Sequence, residues 1–257
     1  MAVSGTGDSL VNAERTGRVL VVRMCRKAKR NAVNRQLADE LDSAINQLED
    51  DDELWAGVLT GTGRVFCAGS DLTAGGDYLT ERGGEYGLIR RQRRKPLIAA
   101  VEGPALGGGL ELVLACDLVV AARTARFGLP EVSRGVVASS GALFMAPRAL
   151  PANLARELLL TGEPIDADRA QTAGLVNQLT EPGAAVAAAV ALGERICANA
   201  PVAVQASLVA VNRWLAAADE FGWQVTADAL ATIGASQDYK EGIAAFLEKR
   251  PPRWTGR

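Results

Sequence analysis

Short apolar runs that alternate with a helical pattern limit the fold of the first half of this sequence more than any other feature. Strands are predicted at residues 19–22, 55–60, 96–101 and 118–122. Between the first two strands, apolar residues recur at helical spacing from Leu37 to Leu48, after Asn34, which is suited to cap a helix. This alternation predicts parallel βαβ units and an α/β fold.

The pattern beyond about residue 150 is mainly helical. Helices are predicted at residues 153–160, 166–173, 184–198, 201–217, 219–233 and 237–248. Only residues 174–178, Gly-Leu-Val-Asn-Gln, are strand-like there. We therefore predict an α/β core over residues 1–195 and a C-terminal helical region over residues 196–257.

The 257 residues include no histidine. This excludes Ser-His-Asp and Cys-His nucleophile systems, His-ligated zinc and imidazole acid/base catalysis, so proton transfer near neutral pH would fall to carboxylates or other groups. With 28 basic and 30 acidic side chains and a net charge of −2, the chain has no overall field that would attract nucleic acid or an anionic membrane. We expect no nucleic-acid partner and no membrane partner.

The cysteines and the N-terminus predict a cytoplasmic protein. Cys25, Cys67, Cys116 and Cys197 are far apart and form no CxxC pair, so free thiols in a reducing compartment are expected rather than a zinc site or disulfides. Residues 1–9 lack a basic region followed by an apolar stretch. No run approaches the roughly 18 apolar residues of a membrane span.

Three consecutive glycines, Gly107-Gly108-Gly109, lie between a predicted strand and a predicted helix. They allow a ligand to approach the main chain, or they simply make a tight turn. Glu111 begins an apolar run, where an unpaired carboxylate is costly to bury, although the helix N-terminus alone could stabilise it. Glu131 is either a solvated turn residue or the second member of a carboxylate pair. Without histidine, such a pair is the natural acid/base set.

A second glycine turn, Phe66-Cys-Ala-Gly-Ser-Asp-Leu72, follows the strand that ends near Thr60. If the two turns converge, their amides would form a two-donor oxyanion hole. Such a hole stabilises a carbonyl oxygen on which negative charge develops.

Six segments in order resemble the crotonase superfamily, which is the enoyl-CoA hydratase/isomerase family. They are Phe66-Cys-Ala-Gly-Ser-Asp-Leu72, the stretch from Ile98 to Leu112, Ala115-Cys-Asp117, Ala125-Arg-Phe-Gly-Leu-Pro-Glu131, Leu160-Thr-Gly-Glu-Pro-Ile165 and the stretch from Glu241 to Pro251. The resemblance extends from about residue 15 to the C-terminus.

The resemblance implies a crotonase-type spiral of stacked ββα units, followed by a C-terminal helical region that packs into trimers, commonly paired as hexamers. It implies that the amides of Ser70 and Gly108 hold the thioester carbonyl of an acyl-CoA. The hydratases of this family use two glutamates, and the matching positions are Glu111 and Glu131. The implied activity is that of a hydro-lyase, which adds water syn to a trans-2-enoyl-CoA and gives a 3-hydroxyacyl-CoA, as in fatty-acid degradation. Glu111 would activate the water for attack at C3, and Glu131 would deliver a proton to C2.

The resemblance also implies where the CoA moiety binds. The segment Arg26-Lys-Ala-Lys-Arg-Asn31 matches the family segment that passes the adenine and phosphates, with Lys29 and Arg30 as the candidates; otherwise it is a solvated basic loop. Phe246 and Lys249 match an aromatic residue and a lysine that approach CoA. The other predicted substrate contacts are Ala68, Ser70, Asp71, Leu72 and Gly108. No cofactor or metal is expected, because CoA enters as part of the substrate.

Residues 135–144 depart from the family pattern, since many hydratases have a Pro-Gly-Gly-Gly-Thr-Gln-type loop there. This segment helps to shape the acyl pocket, which leaves enoyl-CoA isomerase and carnitinyl-CoA-like dehydratase as alternatives. A non-catalytic interaction protein or RNA-binding homologue is a further alternative, against which the retained glutamate pair argues. The basic run 90–95 is predicted to be a solvated helix face.

Overall fold

The computed structural model describes residues 9–257. The first eight residues, in which no secretion signal is expected, lie outside the described range. The strands are β1 (Val11–Thr16), β2 (Val19–Met24), β3 (Ala56–Gly61), β4 (Leu79–Thr80), β5 (Gly84–Glu85), β6 (Leu97–Val101), β7 (Pro104–Leu106), β8 (Leu118–Ala122), β9 (Arg126–Gly128), β10 (Ile165–Asp166) and β11 (Gln178–Thr180).

The helices surround these strands and dominate the second half of the chain. They are α1 (Arg35–Asp50), α2 (Gly108–Leu114), α3 (Ala142–Ala149), α4 (Ala152–Thr161), α5 (Ala167–Thr172), α6 (Ala185–Cys197), α7 (Pro201–Leu215), α8 (Asp219–Gly234) and α9 (Gln237–Glu248). Short 3₁₀ helices lie at Lys27–Lys29, Pro130–Arg134 and Ala216–Ala218. The six helices predicted beyond residue 150 are confirmed as α4 to α9.

The main sheet has the strand order β1-β2-β3-β6-β8-β11. β1 and β2 form an antiparallel pair, and every other neighbouring pair in this sheet is parallel. The predicted α/β class is therefore confirmed, and the four predicted strands correspond to β2, β3, β6 and β8. The predicted boundary between residues 195 and 196 falls in the last turn of α6 and stays a prediction.

Helices cover both faces of this sheet. On α1, the Asn34 side chain accepts a hydrogen bond from the Leu37 amide at 3.0 Å, as expected of a helix cap. Its apolar side chains from Leu37 to Leu48 are buried in the larger core cluster. On the opposite face, α6 packs through Ala185, Ala189 and Gly193, whose small size lets the helix lie close to the strands. Both faces are thus closed to water, which parallel sheets require.

A second, smaller sheet has the strand order β10-β9-β7 and is separate from the main sheet. The segment that follows β3 runs beside β7. The Phe66 amide donates to the Pro104 carbonyl at 3.0 Å, and the Leu106 amide donates to the Cys67 carbonyl at 3.0 Å. The two glycine turns singled out from the sequence are consequently held next to each other.

The basic run 90–95 is not a solvated helix face, so that prediction is wrong. The Arg93 guanidinium is buried and binds the Asp117 carboxylate, with one contact of 2.5 Å. The Lys95 ammonium is buried and donates to the carbonyls of Leu48 at 2.8 Å and Asp51 at 2.7 Å. These partners come from distant parts of the chain and satisfy the buried charges, as burial requires. The segment therefore has an irregular backbone that ties α1 to the main sheet.

The strand predicted at residues 174–178 is confirmed only at its last residue, because β11 begins at Gln178. Gly174 has a φ of +89°, and the amides of Leu175 and Val176 donate to the Ala170 carbonyl. These hydrogen bonds close the end of α5 instead of joining the sheet. The side chains of Leu175 and Val176 are buried beside the end of α5. In the sequence they form a short apolar run like that of a buried strand.

The C-terminal helices leave large apolar side chains exposed, including Val202, Val211, Trp214 and Phe221. No single helix among residues 9–257 is long and apolar enough to cross a membrane. Together, α6 and the α7–α8 segment have the required length and composition, but they form a pair bent by 108°.

Asn31 fixes the loop between β2 and α1 to the loop that follows β3. It is fully buried, and its Nδ2 lies 3.0, 2.8 and 3.1 Å from the carbonyl oxygens of Thr62, Val65 and Phe66. The Thr62 hydroxyl donates to its Oδ1 at 3.2 Å. This amide side chain therefore holds both ends of the turn that leads into residues 66–72.

We predict that Asn31→Ala lowers the free energy of unfolding by about 2–3 kcal/mol, because the substitution leaves buried carbonyl groups without a donor. Urea unfolding measures the change. Asn12→Ala is the matched control, since Asn12 is exposed and its side chain bonds Glu14 alone among residues 9–257, and it is expected to change stability by less than about 0.5 kcal/mol. Equal effects of the two substitutions would contradict the role given to Asn31.

Candidate active site

The two glycine turns converge, as the oxyanion-hole prediction requires. Val33 lies beside Ser70 in an isolated parallel bridge, which fixes the first turn. A Cβ atom placed on Gly69 would lie 3.2 Å from the Gly108 amide nitrogen. The backbones of the two turns are therefore in direct contact near Ser70 and Gly108.

The amides of Ser70 and Gly108 donate to no acceptor within residues 9–257. Their neighbours differ, since the amides of Asp71 and Gly107 bond the carbonyls of Val33 and Gly128 at 2.8 and 2.9 Å. Backbone donors are seldom left unpaired away from water. Two such donors therefore lie on adjoining turns, as the oxyanion-hole prediction requires.

Glu111 lies on α2 and is only 1% exposed. Its Oε1 accepts hydrogen bonds from the amides of Ser140 at 2.8 Å and Ala142 at 3.1 Å. Burial raises the pKa of Glu111 to about 8, and the charge of Glu131 adds to the shift. The residues that hold Glu111 belong to the atypical segment 135–144 and the start of α3, a role that the sequence did not predict.

Glu131 lies in the 3₁₀ helix Pro130–Arg134, where its Oε2 is buried without a hydrogen-bond partner among residues 9–257. Its Oε1 would lie 3.0 Å from a Cβ atom on Gly107, whose φ is +56°, so this position requires glycine. Burial raises the pKa of Glu131 to about 7. A carboxyl oxygen that is buried without a donor destabilises the fold, which is typical of a functional group.

The two glutamates form an interacting pair beside the glycine triplet. The pKa of each is raised by burial, and the charge of Glu131 raises the pKa of Glu111 further. Between pH 7 and 8, the pair therefore holds about one proton. One acid and one base are available together, which is what addition of water to a double bond needs.

Tyr86 is a component that the sequence analysis missed. Its hydroxyl lies 2.7 Å from Ser70 Oγ, and a Cβ atom on Gly108 would lie 2.7 Å from the same hydroxyl. Burial raises the pKa of Tyr86 well above its usual value, and the charge of Glu111 adds to the shift. No motif surrounds this residue in the sequence, so nothing short of the fold identifies it.

The segment predicted to contact CoA runs along the first glycine turn. The Ala68 amide donates to the Arg30 carbonyl at 3.1 Å, and the side chains of Lys29 and Arg30 are exposed. Leu72, at the end of this turn, is 42% exposed. The structure thus brings most of the predicted CoA contacts to one edge of the candidate site, where their binding role stays a prediction.

Asp71 differs from these residues because its side chain is already engaged. Its carboxylate pairs with the Arg26 guanidinium at 2.7 Å and accepts hydrogen bonds from the amide and hydroxyl of Thr73. Burial would raise the pKa of Asp71, but the Thr73 and Arg26 interactions outweigh it and lower the pKa to about 2. Its carboxylate stabilises the turn.

Phe246 and Lys249 lie at the C-terminal end of α9 and are exposed. The Arg134 guanidinium lies 5.3 Å from the centre of the Phe246 ring. Arg134 belongs to the 3₁₀ helix that carries Glu131, so α9 approaches this part of the site in the same chain. A contact of Phe246 or Lys249 with CoA stays a prediction.

Comparison with known proteins identifies the family. The family model described as enoyl-CoA hydratase/isomerase matches residues 14–257. The chain belongs to the enoyl-CoA hydratase/isomerase family. The resemblance inferred from six sequence segments is therefore confirmed, together with the crotonase fold.

Relatives in this family are similar over nearly the whole chain. The short-chain-enoyl-CoA hydratase of Clostridium acetobutylicum is 36% identical over 245 residues, which are 92% of this chain and 94% of that protein. A crystal structure of carnitinyl-CoA hydratase from Mycobacterium avium has a TM-score of 0.91 at 41% identity and covers 98% of this chain and 100% of its own. Enoyl-CoA hydratase from Mycobacterium tuberculosis has a TM-score of 0.79 at 44% identity, with 97% and 100% coverage.

We predict that Glu111→Gln makes the protein more stable than the wild type as pH rises from about 5 to 8. Because the pKa of Glu111 is raised to about 8, the folded wild type holds a proton that the unfolded chain releases near pH 4.5. Wild-type stability therefore falls across this range, and glutamine removes that loss. We expect a gain of about 1–3 kcal/mol at pH 8 relative to pH 5, measured by urea unfolding.

Glu40→Gln is the matched control with the opposite sign. Burial would raise the pKa of Glu40, but hydrogen bonds from Gln36, Ser9, Val11 and Leu10 outweigh it and lower the pKa. Its stabilising effect is present above pH 4.5 and is lost as pH falls through the lowered value. Glu40→Gln should therefore destabilise the protein at pH 7 and less so below pH 4. The same pH slope for both variants would refute the assignment.

Proposed function

We propose that this chain is a hydro-lyase that adds water syn across the double bond of a trans-2-enoyl-CoA and forms a 3-hydroxyacyl-CoA. The observation that carries this proposal is the pair formed by the buried Glu111 and the half-buried Glu131, which lies beside two unengaged amides. The reaction needs a base for water, an acid for the α-carbon and donors for the thioester oxygen. These three requirements correspond to Glu111, Glu131 and the two amides.

The amides of Ser70 and Gly108 bind the thioester carbonyl oxygen in this proposal. As hydroxide adds at C3, electron density moves through the conjugated system onto that oxygen, and the donors stabilise the developing charge. Removal of one such donor raises the barrier by about 3 kcal/mol in other enzymes. The donors belong to the main chain, so their direction is set by the fold.

The glutamates exchange two protons with the substrate and water. Glu111 accepts a proton from water as the oxygen bonds C3, and Glu131 transfers its proton to C2. When Glu131 holds the shared proton, its charge no longer raises the pKa of Glu111, and the amides of Ser140 and Ala142 stabilise the Glu111 carboxylate. After the addition Glu111 is protonated and Glu131 is ionised, and one proton transfer restores the pair.

CoA enters this proposal as part of the substrate, and no cofactor takes part. The exposed cations Lys29 and Arg30 suit its phosphates, and Ala68 and Leu72 lie beside the path to Ser70. Phe246 and Lys249 on α9 supply an aromatic face and a further cation. The main-chain groups of Ser70 and Gly108 complete the set at the thioester.

A carnitinyl-CoA substrate is the second candidate. Two proteins of similar structure bear names of this kind: the carnitinyl-CoA hydratase of Mycobacterium avium, and a carnitinyl-CoA dehydratase from Mycobacterium avium 104, which has 44% identity and a TM-score of 0.89. The segment 135–144, which helps to shape the acyl pocket in this family, departs from the loop of many hydratases, and this departure is what raises the second candidate. Both candidates use the same acid/base pair.

We also propose that the C-terminal helices pack between copies of the chain, as trimers or pairs of trimers. A groove of about 520 Å³ lies between α7 and the starts of β6 and β8 and is lined mainly by apolar residues, among them Val204, Leu208 and Val211. Trp214 on α7 and Phe221 on α8 are also exposed apolar side chains of this region. An apolar face of this kind is typical of an interface between subunits.

A cytoplasmic location is part of the same proposal. Cys25, Cys67, Cys116 and Cys197 are all free thiols. Reducing compartments keep cysteines in this state.

We predict that the protein hydrates crotonyl-CoA or a longer 2-enoyl-CoA and that Glu111→Gln and Glu131→Gln each lower kcat by about 10²–10⁴-fold. Loss of the conjugated thioester absorbance measures the rate. Glu157→Gln is the control, because the exposed Glu157 carboxylate pairs with Arg169 and with no other cation in the described part of the chain, and the kcat of this variant should equal that of the wild type. Unchanged turnover in both active-site variants would refute the two-glutamate mechanism.

A substrate panel separates the candidates. Faster dehydration of carnitinyl-CoA than hydration of crotonyl-CoA would favour the second candidate. Conversion of a 3-enoyl-CoA to the 2-enoyl-CoA without hydration would show an isomerase. No turnover of any acyl-CoA would leave a binding protein and overturn the proposal.

For the assembly, we expect sedimentation at micromolar concentration to give the mass of three or six chains. Val211→Glu places a charge in the apolar groove and should shift the mass towards one chain, whereas Arg156→Glu, at an exposed position of α4, should not. A monomeric wild type would contradict this part of the proposal.

A further inference from the structure

Tyr86 connects the two turns that carry the unengaged amides. Its hydroxyl lies 2.7 Å from Ser70 Oγ on the first turn. Its ring lies against Gly108 on the second, where a Cβ atom would meet Tyr86 Cε2 and Cζ at 2.8 Å. One side chain therefore contacts both residues that hold the proposed oxyanion-hole donors.

The backbone presents this side chain in an unusual way. Tyr86 has a φ of +56°, a left-handed conformation that bulky residues rarely adopt, and its amide donates to the Tyr78 carbonyl at 3.0 Å. Gly87 follows and lies so close to α1 that a Cβ atom on it would approach the Asp42 nitrogen to 2.7 Å. The turn at residues 84–87 is thus packed onto α1, and the ring is directed inward, where it is 3% exposed.

The two amides need such a connection because they belong to different turns. Main-chain hydrogen bonds join the turns at Cys67 and Leu106, ahead of both donors. Beyond that point, Ser70 and Gly108 have no main-chain bond to each other. A carbonyl oxygen gains from both donors only when both lie within hydrogen-bond distance of it at once.

We propose that Tyr86 is a positioning residue that holds the Ser70 amide and the Gly108 amide at the separation an enolate-like thioester oxygen requires. This inference rests on the proposed hydratase function and deepens it. Tyr86 acts through Ser70, with its hydroxyl bonded to the Ser70 side chain and its ring packed on Gly108. It exchanges no proton with the substrate, a role that belongs to the two glutamates.

The test is Tyr86→Phe, which keeps the ring against Gly108 and removes the hydroxyl that lies 2.7 Å from Ser70 Oγ and also interacts with the Ser140 side chain. Small misplacements of catalytic groups are costly, so we expect kcat for crotonyl-CoA to fall about 10–100-fold. KM should change by less than about threefold, because the donors act mainly in the transition state. Tyr239→Phe is the control, since it removes the same hydroxyl from α9, and it should leave kcat unchanged.

Ser70→Ala provides the second variant, since it removes the hydroxyl partner and keeps the Ser70 amide. If Tyr86 acts through Ser70, this variant loses a similar factor in kcat, and the double variant loses no more than the larger single loss. Multiplying losses would show independent roles and overturn the inference. If Tyr86→Phe fails to fold, judged by circular dichroism, Ser70→Ala alone decides, and an unchanged kcat there refutes the inference.

The outcomes separate this inference from the function on which it rests. A wild type without hydratase activity refutes the proposed function. An active wild type with the same kcat in Tyr86→Phe refutes only the positioning role. A Tyr86→Phe variant with raised KM and unchanged kcat would show that Tyr86 merely lines the acyl pocket, which also overturns the inference.

Discussion

The main-chain pairing between the segment after β3 and β7 is the interaction on which the rest of the site depends. The amides of Phe66 and Leu106 are used to join the two segments. The amides of Ser70 and Gly108, a few residues further along each segment, remain available. Ordinary main-chain amides thus form a specific binding site, because the pairing register of the two segments determines which amides are already hydrogen-bonded and which are available. Asn31 supports the same register from the other side.

The candidate site also shows how the neighbours of a buried carboxyl group determine the direction in which its pKa shifts. Asp71 and Glu111 are both buried. The pKa of Asp71 falls to about 2, since an arginine and Thr73 outweigh the effect of burial. Burial and a second carboxyl group raise the pKa of Glu111 to about 8, against the effect of two amides. The first arrangement stabilises a turn, and the second keeps a proton available near neutral pH at the expense of stability.

The sequence predicts those parts that local patterns determine. The helix after Asn34 follows from spacing and a cap, and Glu111 stands out because a charge inside an apolar run is locally anomalous. Tyr86 was not predictable, because its partners Ser70 and Gly108 meet it only after the chain folds. The burial of Arg93 was mistaken for exposure for the same reason, since Asp117 neutralises it from a distant part of the chain. Residues 174–178 resemble a strand because a buried helix end and a strand share the same apolar residues.

The glycine triplet limits the substitutions that this site tolerates. Each glycine is required by a different neighbour: Gly107 by the Glu131 carboxyl group, Gly108 by the Tyr86 ring, and Gly109 by the Cys67 carbonyl. The three adjacent glycines therefore maintain three separate features of the site. These are the position of the acid Glu131, the spacing of the two amide donors, and the pairing of the segment after β3 with β7. A methyl group added at each would damage a different property, so neighbouring variants of identical chemistry would fail for unrelated reasons.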